Sequence, residues 1–105
     1  MIQLIKKLLG LGGPQVSFSE LAQKGAVIVD VRTPAEFKGG HIKGAINIPL
    51  DKLQNQLSKI PKTKPVITCC ASGARSASAK SFLAGQGYEV YNGGGWMSLR
   101  NKLAQ

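Results

Sequence analysis

The sequence predicts an α/β domain with a mostly parallel sheet of four to five strands and helices on both faces. Short β-branched runs alternate with helix-forming segments along the chain, and this alternation implies right-handed crossovers between parallel strands. The run 26–31 is apolar almost throughout, which is typical of a strand buried on both faces. The length of 105 residues fits one domain of this kind.

Caps and breakers delimit the elements in the first half of the chain. A capping-box pattern over residues 17–20 begins a short helix, and Gly25 ends it. After the first strand, Thr33 fits the N-cap and Pro34 the first position of a second helix. A second short strand follows at 45–48.

Apolar spacing delimits the second half of the chain. Residues 50–60 carry apolar side chains at helical intervals, and Pro61 ends this segment. The remaining predicted elements are a strand at 65–68, a helix at 74–85 with Ala77, Phe82 and Leu83 on its inner face, a strand at 88–91, a loop at 93–95 and a terminal helix at 96–103.

The distribution of charged residues argues against a nucleic-acid partner. The chain carries 14 Lys and Arg against 5 Asp and Glu, a net charge of +9. The lysines are scattered and aromatic residues make up only 6%, so the pattern lacks the aromatic-interleaved basic stripe of a nucleic-acid interface. We expect a solvated basic surface, or one that attracts a small anionic substrate, and no nucleic-acid partner.

The cysteine and histidine content points to thiol chemistry. Cys69 and Cys70 are adjacent, so they cannot staple distant parts of the fold. His41 is the only histidine, which leaves too few ligands for a structural zinc site. We therefore expect a reactive thiol, with no metal and no cofactor.

The first residues are expected to lie outside the domain, which begins at residue 16 and extends to 105. Residues 1–15 form an N-terminal extension whose apolar residues have helical spacing. Their uncharged part is shorter than a usual signal core, and no run of about 18 apolar residues occurs. We expect a cytoplasmic chain with no membrane span.

The most informative segment runs from Cys70 to Ser76, where a predicted strand passes into a predicted helix. At such a turn the first amides of the helix are unpaired and the helix dipole is positive, so a thiolate is favoured. Gly73 lets the loop curl, and Arg75 adds a fixed positive charge. The segment predicts a nucleophilic sulfur in an anion-binding cradle.

Three ordered blocks resemble the single-domain rhodaneses, a family of sulfurtransferases. The blocks are Val29-Asp30-Val31-Arg32 followed by Glu36-Phe37, the segment 40–49, and Cys70-x-x-Gly73-x-Arg75-Ser76, with a later Gly94-Gly95-Trp96. The resemblance implies a rhodanese-like α/β fold with Cys70 as the catalytic residue. It also implies structural support from Asp30 and Arg32, and substrate binding by the loop residues Ala71, Ser72, Gly73, Ala74, Arg75 and Ser76.

The reaction that this resemblance implies is covalent sulfur transfer. Cys70 would take the outer sulfur of thiosulfate or a persulfide donor, a small anionic molecule, and hold it as a persulfide. A thiol, cyanide or a protein acceptor would then remove the sulfur. Because cysteine is already nucleophilic near neutral pH, no separate base is needed.

Two other functions stay open at this point. Cysteine phosphatases and arsenate reductases resemble the loop but space Cys and Arg by five residues, whereas four residues separate Cys70 and Arg75. The shorter loop favours a compact persulfide over a tetrahedral oxyanion. A non-catalytic rhodanese-like binding or sulfur-carrier module is the other alternative, and the retained loop residues count against it.

Further residues near the loop admit more than one role. Cys69 is expected to pack in the core on the side of its strand opposite Cys70, or else to act as a relay thiol. His41 is expected to hold a turn rather than to act as a base. Ser76 is expected to cap the helix, or else to touch the ligand.

Three charged residues carry expectations of their own. Arg32 and Glu36, four residues apart, are expected to form an ion pair. Arg75 is expected to contact an anion or to brace the loop. The Cys70 thiol is expected to be accessible at the mouth of this loop.

Overall fold

The computed structural model describes residues 17–105, and the predicted extension at 1–15 lies outside the described residues. The elements are α1 Phe18–Gln23, β1 Val27–Asp30, α2 Pro34–Lys38, β2 Ile46–Asn47, 3₁₀ helices at Leu50–Asn55 and Leu57–Lys59, β3 Val66–Cys70, α3 Ala74–Gly85, β4 Val90–Gly95 and α4 Trp96–Leu103. Within this part of the chain, no helix is long and apolar enough to cross a membrane.

The sheet places the site residues at one edge. Its strands lie in the order β2-β1-β3-β4, and each neighbouring pair is parallel. All five residues of the central strand β3 are buried. Because the carboxyl ends of parallel strands meet at the same edge, Asp30 at the end of β1 lies close to Cys70 at the end of β3. The predicted α/β fold with a parallel sheet is confirmed.

Helices cover both faces of this sheet. On one face, Leu83 of α3 and Leu53 of the first 3₁₀ helix pack in a cluster that includes Cys70. On the other face, Leu99 of α4 packs with Cys69, and side chains of α1 lie against them. Strand alternation in β3 therefore sends the two adjacent thiols into different cores, as the sequence predicts.

The helix starts follow from their capping residues. The Ser17 hydroxyl accepts a hydrogen bond from the Glu20 amide at 3.2 Å. Thr33 and Glu36 form a reciprocal capping box at the start of α2, with Pro34 in the first turn. These local contacts satisfy amides that would otherwise be unpaired, which is why the predicted starts are confirmed.

The segment 50–60 differs from the regular helix that its spacing suggests. It forms two 3₁₀ pieces that are interrupted at Gln56. Only Leu53 and Ile60 of its apolar stripe are fully buried. Because 3₁₀ turns have three residues each, they cannot keep a 3.6-residue stripe against the core, and half of it becomes partly exposed.

The glycines at 93–95 belong to β4, so the predicted loop is wrong. A Cβ on Gly93 would lie 2.8 Å from the Thr68 carbonyl oxygen and 2.8 Å from Leu99. Glycine is needed at position 93 because β3 and α4 approach too closely there for a side chain.

The inner face of α3 also differs from the prediction. Ser76, Ala79 and Leu83 are buried, whereas Ala77 is exposed and Phe82 is half-buried. The positions 76, 79 and 83 follow the helical repeat. The apolar pattern did not indicate this face, because its first buried residue is the polar Ser76, which contacts the Cys70 sulfur.

Candidate active site

The Cys70 thiol lies at the start of the turn between β3 and α3. Gly73 is the N-cap of α3 and has φ +110°, a left-handed conformation that favours glycine. This conformation turns the loop back over the end of β3. The Gly73 amide donates to Cys70 Sγ at 2.9 Å, and the Ser76 amide donates at 3.4 Å.

These donors decide the ionisation of the thiol. Burial alone would raise the pKa of Cys70, but hydrogen bonds from the Ser76 hydroxyl and from the amides of Ser76, Gly73 and Ser72 outweigh it. The net pKa of Cys70 is lowered. The predicted activation of this thiol therefore agrees with the geometry, since helix-start amides aim at the sulfur.

The accessibility expected of Cys70 is wrong, because its side chain is fully buried. Cys70 packs in the core cluster that contains Ala79 and Leu83 of α3, and two amides of the loop donate to its sulfur. The loop residues Ala71, Ser72 and Ala74 are exposed. The sulfur that accepts these amides is therefore separated from solvent.

Ser76 contacts the sulfur and does not cap the helix. Its Oγ lies 3.5 Å from Cys70 Sγ, and it donates towards the Gly73 carbonyl at 3.0 Å and Asn92 Oδ1 at 2.7 Å. One hydroxyl proton can serve only one of these acceptors at a time. Gly73, and not Ser76, takes the N-cap position, so the capping expectation is wrong.

Asn92 is a site residue that the sequence did not reveal. Its Oδ1 accepts hydrogen bonds from the Ser76 hydroxyl and from the Gly94 amide, the latter at 2.9 Å. It therefore ties β4 to the start of α3 beside the thiol. A lone asparagine before a glycine run carries no distinctive pattern, so nothing in the sequence marked it.

Arg75 is held by Glu36 in a two-pronged ion pair. Arg75 Nη1 donates to Glu36 Oε1 at 2.8 Å and Nη2 donates to Oε2 at 3.0 Å. The hydrogen bond from Arg75 is the main cause that lowers the pKa of Glu36 to about 2. Of the two roles predicted for Arg75, this geometry favours bracing of the loop.

The predicted ion pair between Arg32 and Glu36 is wrong, because Arg32 pairs with Asp30. Arg32 Nη2 donates to Asp30 Oδ2 at 2.7 Å, and both side chains are buried. The guanidinium also donates to the Gly40 carbonyl at 2.7 Å and lies 4.7 Å from the centre of the Trp96 ring. A buried guanidinium needs a counter-charge within the core, and buried Asp30 supplies one, whereas Glu36 lies at the partly exposed surface of α2.

This buried pair supports the role expected of Asp30 and Arg32. Asp30 Oδ1 accepts the Arg32 amide at 3.0 Å, which fixes the turn after β1. Asn47 Nδ2 donates to the carbonyls of both residues, at 3.0 Å and 2.9 Å. The turn after β1 and the end of β2 are thereby joined beside the site.

Cys69 and His41 have the structural surroundings expected of them. Burial first, and the nearby Asp30 carboxylate next, raise the pKa of Cys69 to about 12, so this thiol stays protonated at neutral pH. His41 Nδ1 lies 2.7 Å from the Phe37 carbonyl oxygen, and its ring stacks on the Phe37 ring at 3.7 Å. Over residues 17–105, no group of three metal-ligating side chains is present.

Comparison with known proteins places the chain in a family. The model of the family described as rhodanese-like domain matches residues 15–102. A sulfurtransferase of Allochromatium vinosum is 44% identical over 62 residues, 59% of this chain and 58% of that protein. The thiosulfate sulfurtransferase GlpE of Ectopseudomonas mendocina is 40% identical over 81 residues, 76% of this chain and 74% of that protein.

A solved structure agrees with this placement. The rhodanese-related protein of Thermoplasma volcanium has a TM-score of 0.71 and 31% identity, and the match covers 84% of this chain and 91% of that one. The chain spans only 54% and 58% of the length of two curated relatives that it matches. The family model nevertheless covers most of the residues, and the chain belongs to the rhodanese-like domain family.

Proposed function

We propose that this chain is a sulfurtransferase that moves a sulfane sulfur through a persulfide on Cys70. The observation that carries the proposal is the set of amide donors on the Cys70 sulfur at the start of α3. Such donors stabilise a thiolate, and they would equally stabilise the terminal anion of a persulfide. The sulfurtransferase names of two relatives support the same conclusion.

The first half of the reaction loads the enzyme. The Cys70 thiolate attacks the outer sulfur of thiosulfate, a new S–S bond forms, and the bond between the two sulfur atoms of thiosulfate breaks. Sulfite leaves with the bonding electron pair, and the persulfide keeps one negative charge. No proton needs to be moved, so this step needs no general base. The only histidine of the chain, His41, contacts the Phe37 carbonyl instead.

The second half returns the enzyme to its starting state. A thiolate or cyanide attacks the terminal sulfur, and the Cys70 thiolate leaves with the electron pair of the S–S bond. The product is an organic persulfide or thiocyanate. The donors that lower the pKa of Cys70 make it a better leaving group in this step, since thiols of low pKa leave faster.

The burial of the Cys70 sulfur limits how a sulfur donor reaches it. Because the Cys70 side chain is fully buried, a donor reaches its sulfur only when neighbouring residues move. We assign residues 71–76 to the binding of the donor sulfur through their amides, in a chain that we expect to act in the cytoplasm.

Intact-mass spectrometry tests the proposal directly. Wild-type protein mixed with excess thiosulfate should gain one sulfur atom, and cyanide should remove it. The Cys70→Ser variant is the control and should gain nothing. If the wild-type mass does not change under donor excess, sulfur transfer is not the function and a binding module becomes the better description.

The phosphatase alternative predicts a different outcome. Four residues between Cys70 and Arg75 make a loop too short to surround a phosphate with amides. We therefore expect no more than trace hydrolysis of an aryl phosphate under conditions in which thiosulfate is turned over. An aryl phosphate rate that rivals the thiosulfate rate would overturn the loop-length argument.

A further inference from the structure

The ion pair between Glu36 and Arg75 joins two parts of the chain that both border the site. Arg75 is the second residue of α3 and lies between the two amides that reach the Cys70 sulfur, those of Gly73 and Ser76. Glu36 belongs to α2, which follows the strand that ends at Asp30. The two residues are 39 positions apart in sequence.

Contacts within the first turn of α2 orient the Glu36 carboxylate independently of Arg75. Its Oε1 accepts the Thr33 amide at 3.0 Å and the Thr33 hydroxyl at 3.1 Å, as part of the capping box of α2. The carboxylate is therefore already oriented when the guanidinium fork binds it. A preorganised carboxylate with a two-pronged partner is the geometry in which a partly exposed ion pair has a real effect.

The same geometry leaves Arg75 poorly placed to bind an anionic donor. Both terminal nitrogens of its guanidinium donate to the Glu36 carboxylate, which balances its charge. Arg75 also lines a cavity of about 310 Å³, and the other charged residue of that lining is Asp51, a carboxylate. Among residues 17–105, Asp51 has no Lys or Arg partner within ion-pair distance, so its charge would repel an anion in the cavity.

We propose that Glu36 and Arg75 are positioning residues that clamp the Cys70 loop to α2, and that loop amides rather than Arg75 bind the donor anion. This inference rests on the proposed sulfur transfer and deepens it. When the clamp opens, the start of α3 is free to shift, and the amides of Gly73 and Ser76 lose their alignment with the sulfur. The clamp stays closed at neutral pH because Glu36 is fully ionised there.

Conservative variants separate the two roles of Arg75 in steady-state kinetics. Glu36→Gln releases Arg75 and leaves its charge free, whereas Arg75→Lys keeps a charge but loses the planar fork. Both variants should lower kcat about three- to tenfold, with the KM for thiosulfate changed less than about twofold. The matched control Glu20→Gln removes one carboxylate from the exposed surface of α1 and should behave as wild type.

A charge swap gives the sharper test. In the double variant Glu36→Arg with Arg75→Glu the pair can form again with reversed sign, although position 75 is then negative. Part of the kcat lost in the single variants Glu36→Arg and Arg75→Glu should return. The loss of the capping box is common to the single and double variants at position 36, so a double-mutant cycle removes it.

Alkylation of Cys70 as a function of pH adds a measurement that needs no donor. The midpoint of the alkylation profile should shift to higher pH in Arg75→Lys and in Glu36→Gln, and the swap should shift it back towards wild type. The charge that Glu36→Gln leaves free on Arg75 would by itself lower the midpoint, so an upward shift in this variant reports the lost alignment of the amides. If Glu36→Gln instead lowers the KM for thiosulfate, or if the swap is no better than the single variants, the clamp is wrong and Arg75 is an anion ligand. If wild type takes up no sulfur, the proposed function fails, and the alkylation profiles still decide on the clamp.

Discussion

Replacing Gly95 by alanine should disturb the Cys70 loop through a single steric contact. Gly95 has φ −66° and ψ 139°, which alanine adopts without strain. A Cβ at this position would, however, lie 2.9 Å from the Ala71 carbonyl oxygen. Backbone cannot swing aside as a flexible side chain does, so the loop or the end of β4 must move by about 0.5 Å to reach ordinary contact.

The expected losses of stability and activity in Gly95→Ala follow from the position of Ala71 next to Cys70. Overpacking of this kind costs about 1–3 kcal/mol of stability. Ala71 is the next residue after Cys70, so the displacement reaches the hydrogen bond from the Gly73 amide to the sulfur, which is 2.9 Å long. Since a misplacement of about 1 Å can cost 100-fold in rate, we expect about a tenfold loss of kcat/KM.

Gly25→Ala serves as the matched control. Gly25 has φ +93° and no atom within 4 Å of a Cβ, and it lies at the opposite edge of the sheet, before β1. Its left-handed conformation should cost alanine about 1–2 kcal/mol with no contact to the loop. Thiocyanate formation from thiosulfate and cyanide gives kcat/KM, and urea unfolding gives stability. If Gly25→Ala loses as much kcat/KM as Gly95→Ala, or if Gly95→Ala keeps the wild-type value, the steric reasoning is refuted.

Three further outcomes follow from the site. Cys70→Ser should abolish sulfur transfer, and Cys69→Ser should preserve most of it. Peptide mapping after alkylation should find Cys70 modified well before Cys69, and equal rates would favour a relay between the thiols. Ser76→Ala removes a donor that lowers the pKa of Cys70, so its alkylation profile should move to higher pH, and an unmoved profile would show that the hydroxyl stays on Asn92. Asp30→Asn leaves the buried guanidinium of Arg32 without its counter-charge and should cost about 3–5 kcal/mol in urea unfolding, whereas a loss below about 1 kcal/mol would contradict the bracing role.

The elements that sequence reasoning located best are those set by local contacts. The start of α2 was predicted from Thr33 as N-cap and Pro34 in the first turn, and in the structure Thr33 and Glu36 also form a capping box within that turn. The bounds of α3 and α4 agree with the prediction as well. A cap or a helical repeat acts over three or four residues, so its effect is visible in the sequence itself.

The candidate site was located from the sequence only in part. The loop from Cys70 to Ser76 was predicted because all its residues are consecutive and join a strand to a helix. The partner of Arg75 was not predicted, because Glu36 is 39 positions away and the favoured neighbour by spacing was Arg32. Asn92 was missed for the same reason, since it meets Ser76 only when β4 pairs with β3.

The sequence alone determined the fold class, and it predicted Cys70 as the nucleophile and the loop around it. These depend on apolar periodicity, on short-range caps and on a motif read in one stretch of chain. The tertiary structure decided which charges pair, that Asp30 and not Glu36 takes Arg32, and that the Cys70 sulfur is covered. Pairing and burial depend on which strands lie side by side and on how closely they pack, and residues distant in sequence become neighbours only in the folded chain.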